Sequence, residues 1–415
     1  MAVTIVLVAT ACGKSTTKGS GGATTGSSAG TTTIEFAESG LGTEGQQTQA
    51  AINAFQQANP NIKVKIDALS SDSTQYLTQL EQSFVAGSST PDVFESDVTY
   101  PAKFAQAGWA MALDSLNPDM SQYFPAEVAA GTFNNKHYAI PWFDNPEGLY
   151  YRTDLVSTPP TTPEQVVADA QAAVKANPSL KEGLAFEGAK YEGAITAFLT
   201  VDSAFGGKLD PQNLNTPGNL AALQFLHDAI YTTKIAPTAV TGWQEGQVQT
   251  EFTSGNAAFS INYPFVESLA TTPPVMNHVG YIPFPAGPGG TPGAALGGEM
   301  LGINSKTKNA AAAWKLVQYL TTPAVEIARA KATGDPPSLP SAYTSDLYSA
   351  APYFQQVKTL NDNAQPRPVS PNYLQISTDL QTMFSAVFAN TKQPADALKA
   401  AATSVKNDAN ATPGQ

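Results

Sequence analysis

Across residues 33–67 the hydrophobic period switches from two to 3.6 and back to two, which restricts the chain to folds where strands and helices alternate. Thr33-Ile34-Glu35-Phe36-Ala37 alternates as a strand. Residues 44–58 carry Ile52 and Phe55 on one helical face and end at Asn59-Pro60, where a helix cannot continue. Ile62, Val64 and Ile66 then alternate with Lys63, Lys65 and Asp67, the pattern of a half-buried strand.

The alternation persists along the chain. Tyr76, Leu80 and Phe84 predict a second helix, and Pro91-Asp92-Val93-Phe94 is a short apolar run suited to a central parallel strand. Thr162-Pro163-Glu164-Gln165 reads as a capping box with proline at the first helical position, launching a helix through Val166, Val167, Ala170 and Val174. Leu220, Leu223, His227 and Ile230 mark another helix; His227 sits on its core stripe and is assigned no function. Residues 311–320, then Ile376, Leu380, Met383 and Val387, supply late helices, and Pro394 starts a last one through Leu398 to Val405. At 415 residues the chain is long enough for two domains, and it is an α/β chain without internal repeats.

Charge and cysteine usage exclude whole classes of partner. Thirty-four acidic against 22 basic residues leave a formal charge of −12 without a Lys/Arg cluster, which disfavours nucleic acid and anionic lipid surfaces. One cysteine, Cys12, and three histidines, His137, His227 and His278, cannot assemble a disulfide framework or a thiolate or histidine metal site within one chain. No cofactor is expected, and the chemistry rests on carboxylates, amides, hydroxyls and aromatics.

Residues 2–11, AVTIVLVATA, form an apolar run of about ten residues against the roughly 20 needed to span a bilayer, the length of a signal-peptide h-region. With Ala9-Thr10-Ala11-Cys12 at its end, residues 1–12 resemble a bacterial lipoprotein signal whose cysteine becomes the lipidated first residue of the mature protein. Residues 13–32 are a Gly/Ser/Thr tract, read as a flexible tether. Residues 1–11 carry no Lys or Arg, as an n-region would, so either the start lies upstream or the signal is atypical. Gly13-Lys14-Ser15 lacks the earlier glycine and the strand-to-helix context of a phosphate loop.

Several segments carry a family resemblance through their order and spacing. They are Phe55-x4-Pro60-x-Ile62-x-Val64, Pro91-Asp92-Val93, Phe104-Ala105-x2-Gly108, Tyr138-Ala139-x-Pro141-x2-Phe143-Asp144 and Leu149-Tyr150-Tyr151-x2-Asp154-Leu155. Phe252-x2-Gly255-x-Ala257-Ala258-Phe259, Tyr281-Ile282-Pro283, Gly297-Gly298-x2-Leu301-Gly302-Ile303 and Arg367-Pro368-x2-Pro371-x-Tyr373 follow. From residue 33 to 405 the chain resembles the extracellular solute-binding proteins of sugar ABC importers, the trehalose- and maltose-binding branch above all. The resemblance implies a two-lobed periplasmic-binding-protein fold with an interlobe ligand cleft and a hinge of three chain crossings, placed near residues 141–143, 281–284 and 320–324. Lobe 1 would comprise residues 33–141 and 283–321, and lobe 2 residues 142–282 and 322–415. It further implies a monomer that binds a di- or oligosaccharide without chemistry and delivers it to ABC permease subunits. A lipid on Cys12 would be its only membrane contact, holding it at the outer face of the cytoplasmic membrane. A carbohydrate-active hydrolase and a surface receptor or adhesin using the same cleft are the alternatives.

A sugar offers hydroxyls that donate and accept, plus apolar C–H faces, so its site needs Asp, Glu, Asn or Arg beside aromatic rings. Glu38 follows the first strand, Asp97 follows the strand begun at Pro91, and Trp142 and Asp144 flank the first crossing, all where a loop at a carboxyl strand end faces a cleft. Tyr191 and Glu192 lie in a glycine-bounded loop that resembles the family's second-lobe ligand loop, and Trp243 with Glu245 opens a helix. Tyr263 stands where relatives commonly carry tryptophan. Arg367 offers a fixed fork of donors to vicinal hydroxyls. At Gly297-Gly298-Glu299 the chain leaves the family pattern, because relatives often place an aromatic after the glycine pair. Glu299 is expected to contact the ligand, to pair with Arg367, or to turn to solvent.

Overall fold

The structure, a computed structural model, describes residues 30–39, 42–70 and 73–412. Cys12, the signal and residues 13–29 of the tether lie outside the described residues.

The strands sort into two main sheets, one per lobe. In the first, the order is Ile62–Ala68, Thr32–Glu38, Val93–Asp97, Gly298–Ile303, Ala139–Asp144. The first three run parallel, as the β-α-β opening requires, and Gly298–Ile303 returns antiparallel to both its neighbours. The second sheet has the order Val279–Ile282, Gly148–Arg152, Ala257–Asn262, Glu182–Ala185. Only the Glu182–Ala185 and Ala257–Asn262 pair is parallel there.

Each sheet has its own core. Ile34 and Phe36 pack with Ile52 and Phe55 of helix Gly42–Ala58 and with Leu316, Val317 and Leu320 of helix Ala310–Leu320. Leu184, Phe198 and Phe259 pack with Leu223, Ile376, Leu380 and Leu398. Each fully buried large side chain in these clusters contributes roughly 1.5–3 kcal/mol. A further cluster, with Tyr150, Tyr281, Tyr343 and Phe354, includes Met300 of the first sheet and so spans the join.

Local signals account for the helix ends. Thr162 Oγ1 accepts from Gln165 N at 3.2 Å, closing one arm of the cap, while Gln165 Oε1 accepts from Thr161 N at 2.7 Å instead of from Thr162. His227 is buried, its ring nitrogens 3.4 Å from Asp228 Oδ1 and 3.2 Å from Asn390 Oδ1.

The connections differ from the boundaries read in the sequence. Residues 139–144 form a strand of the first sheet, so the chain leaves it at residues 145–147. Pro141 stays inside that strand because the register shift opposite Glu299 and Met300 skips Trp142, and proline is tolerated at a bulge. Tyr281 and Ile282 still belong to the second sheet, and the return to the first runs between Ala295 and Gly298. Thr322-Pro323 starts helix Pro323–Thr333, with proline in its first turn, and Val325 and Ile327 pack on the first core. Ala342 belongs to that core too, so the third crossing lies beyond it. Glu147 bridges Ala295, and Ala294–Ala295 pairs with Ala364–Gln365, which sets three connecting segments side by side at the join.

Candidate functional site

A cavity of about 350 Å³ opens between the two sheets, near the lower end of the roughly 300–1,000 Å³ usual for small-molecule sites. Strand ends build it. On the first-lobe wall Asp97 closes Val93–Asp97, Glu299 stands directly opposite it in the ladder, and Glu95 lies two residues back on the same strand face. Ser39, Glu44, Phe143 and Asp335 complete that wall. On the facing wall Glu187 follows strand Glu182–Ala185, Glu192 and Gly193 open helix Gly193–Asp202, Glu245 opens helix Glu245–Thr253, and Tyr263 follows Ala257–Asn262, with Tyr191 beside them. Asn145, Gly297, Gly298 and Arg367 line the join.

Two glycines stand in close approach to their neighbours, and Gly298 is required by it. Gly298 has φ +122°, and a Cβ there would stand 2.3 Å from the Phe143 carbonyl oxygen. A Cβ on Gly193 would stand 1.8 Å from Glu187 Oε2.

Arg367 joins the walls. Its Nη1 donates to Glu192 Oε1 at 2.8 Å, its Nη2 lies 3.5 Å from Asp97 Oδ1, and its Nε has no protein partner. Glu192 also accepts from the hydroxyls of Tyr373 and Ser377, the latter at 2.6 Å. Charge-assisted bonds of this kind are the strong ones, and here they fix a guanidinium between the lobes. Ser39 holds Glu95 through its backbone N at 2.6 Å and its Oγ at 3.0 Å.

Burial governs the carboxyls. It raises Glu299 well above the ordinary carboxylate range, with Glu95 and Asp97 adding to the rise and Arg367 opposing it. Burial, then Glu147 and Glu245, pushes Glu187 up to about 10, and burial raises Glu245. Glu147, behind the wall, is pushed up to about 8 by burial although Thr200 Oγ1 donates to it at 2.9 Å. Tyr191 Oη accepts from Glu245 N at 2.9 Å, and Tyr263 Oη donates to Thr196 Oγ1 at 2.9 Å. The cavity therefore offers many carboxyls, one forked donor and the rings of Phe143, Tyr191 and Tyr263, a set that suits hydroxyls and C–H faces. Among the described residues no group of His, Cys, Asp and Glu is arranged to hold a metal ion.

Of the residues singled out in the sequence, Asp97, Tyr191, Glu192, Glu245, Tyr263, Gly297, Gly298, Glu299 and Arg367 line this cavity. Four do not. Trp142 is buried in the first core under the Arg329 guanidinium, 4.3 Å from its ring centroid. Asp144 is buried near Glu127 and is pushed up to about 7 by burial. Glu38 points inward near Thr48 and is likewise pushed up to about 7 by burial. Trp243 is half-buried against the second-lobe cores. Arg367 pairs with Asp97 and Glu192, and Glu299 lines the cavity without a hydrogen bond to it.

Sequence reasoning passed over Ser39, Glu44, Glu95, Phe143, Asn145, Glu187, Gly193 and Asp335. Strand period would have found Glu95, two residues before Asp97, and the strand-end rule would have found Glu187. Asp335 owes its place to a pair with Arg329, 2.8 Å from Nε, which no local pattern signals. Another cavity, about 390 Å³ and lined by residues including Pro125, Asp202, Lys208 and Asn361, has no aromatic lining.

Residues 39–327 match the family model described as bacterial extracellular solute-binding protein. A probable ABC transporter-binding protein of Deinococcus radiodurans is 31% identical over 387 residues, 88% of this chain and 91% of that one. Maltose-bound MalE3 of T. maritima superposes with a TM-score of 0.78 at 32% identity, over 91% of this chain and 99% of that chain. The cyclic alpha-maltosyl-1,6-maltose binding protein of Arthrobacter globiformis shares the fold, with a TM-score of 0.79 at 22% identity over 91% of this chain and 99% of that one. Fold, cavity and matched segments agree: this chain belongs to the bacterial extracellular solute-binding protein family.

Proposed function

We propose that this protein is the sugar-binding subunit of an ABC importer, which captures a di- or oligosaccharide between its lobes and hands it to the membrane permease. The observation that carries this reading is Arg367, which lines the cavity and is fixed between Glu192 of one wall and Asp97 of the other. A ligand there meets both lobes at once, so binding favours their closure. The names of the relatives support a carbohydrate, since MalE3 was solved with maltose and the Arthrobacter protein binds a cyclic maltosyl sugar.

The family description places its members outside the cell. A lipid on Cys12, with residues 13–32 as tether, would hold a monomer at the outer face of the cytoplasmic membrane. Cys12→Ala in the native cell should release the protein to the medium with sugar affinity intact, and retention at the membrane counts against the anchor. The relatives are binding proteins, and capture without cleavage is the reading here. A melting screen over disaccharides and trisaccharides tests it, because a ligand at about 100 times its Kd adds roughly 2.7 kcal/mol of stability. Products of cleavage in the same samples would favour a hydrolase, and no shift with any saccharide would overturn the sugar reading.

A further inference from the structure

The second-lobe wall of the cavity is built from acids with no cation of its own. Glu187 is 1% exposed, lines the cavity, and its Oε1 has no hydrogen-bond partner. Glu245 lines the same wall, and Glu147 lies close enough behind for both to act on Glu187 electrostatically. Tyr191 and Tyr263 add only neutral hydroxyls. Arg367 is committed to Glu192 and Asp97, and Lys190, in the adjoining loop, is exposed and does not line the cavity. A buried carboxyl without a donor is costly, and a partner able to satisfy several acids at one point is a cation that donates hydrogen bonds.

We propose that the sugar this cavity takes carries a protonated amine, and that its ammonium lodges between Glu187 and Glu245. This inference rests on the sugar-binding reading and sharpens it to amino-substituted saccharides. The ligand's hydroxyls meet the Arg367 guanidinium and the first-lobe acids, while its amine supplies a cation on the opposite wall. Because burial, with Glu147 and Glu245 adding to it, keeps Glu187 protonated in the empty site, docking of an ammonium ionises it. The proton lost from Glu187 goes to the buffer, so binding of the amino sugar releases up to one proton per ligand, and binding of a neutral sugar releases none from this group.

The test is calorimetry at pH 6 on the full chain with maltotriose, a set of monoamino maltotrioses and spermidine, each in two buffers of different ionisation enthalpy. At least one amino form should bind tenfold or more tighter than maltotriose and release close to one proton. In Glu187→Gln the ratio of the two affinities should fall towards one, and the proton release should vanish. Should that variant fail to fold, Glu245→Gln carries the same comparison, and the wild-type ratio stands without either. Maltotriose binding as tightly as every amino form overturns the amine inference and leaves the sugar reading intact. Spermidine binding in place of any saccharide overturns the sugar reading, and no binding by any of the probes overturns both.

Discussion

At the residue scale the site turns on which way single side chains face. Strand period explains why three expected ligand residues fall on the wrong side while their neighbours fall on the right one. Side chains alternate across a strand, so Trp142 and Asp144 enter the core and Phe143 faces the cavity; Glu38 turns inward and Ser39 outward. Residue type in the sequence favoured the tryptophan and the acids, but only the pairing register decides which face each takes.

Glu299 illustrates the electrostatic side. Placed opposite Asp97 in the ladder and near Glu95, it is held protonated by burial and like charge. A neutral carboxyl and an amide are close in shape and hydrogen bonding, so Glu299→Gln should change sugar affinity by about 1 kcal/mol or less, as for one neutral hydrogen bond. The folded-state pKa is raised, so Glu299 supports stability below its unfolded pKa and costs stability as pH rises. Glu299→Gln should therefore melt higher than the wild type above pH 7. A loss of binding beyond about 3 kcal/mol, measured by calorimetry, would show an ionised Glu299 bonded to the ligand.

At the element scale most of the alternation was legible because each early strand and helix carries its own period and stop signals. Asn59-Pro60, Thr162-Pro163 and Pro394 each mark a helix end that forms close to where the sequence places it. The crossings were not legible, because a proline serves equally as hinge punctuation, as a bulge residue at Pro141 and as a helix start at Pro323. Only long-range packing, such as Arg329 over Trp142 and donating to Thr48 Oγ1, ties helix Pro323–Thr333 to the first lobe.

The strand Gly298–Ile303 is the element on which the first-lobe wall depends. Gly298→Ala forces a Cβ onto the Phe143 carbonyl at a positive φ, so it should destabilise the fold by about 1–3 kcal/mol. Since Glu299 and Phe143 would shift together, sugar affinity should fall as well. Urea unfolding with an unchanged midpoint would contradict this assignment of strain.

At the scale of the whole molecule, buried carboxyls set the response to pH. Burial is the leading cause that pushes Glu38 and Asp144 to about 7 and Glu147, Asp202 and Glu326 to about 8. In each the folded form binds its proton more tightly than the unfolded chain, so the stabilisation is complete below the usual carboxylate range and is lost as pH rises through 7–8. The ligand-free protein should melt progressively lower as pH rises from 5 to 8.5. A melting temperature that rises across that interval would place these groups in pairs or in water.

The proposed function requires that one saccharide be held by both lobes through Arg367. Calorimetric titration of maltose and maltotriose into the wild type and into Arg367→Ala tests it most directly. Saturable one-to-one binding to the wild type is expected, weakened roughly 10–100-fold in the variant, the loss of hydrogen bonds to a charged donor worth about 1.5–3 kcal/mol. Undiminished affinity in a folded Arg367→Ala, or no heat from either saccharide with the wild type, would contradict it.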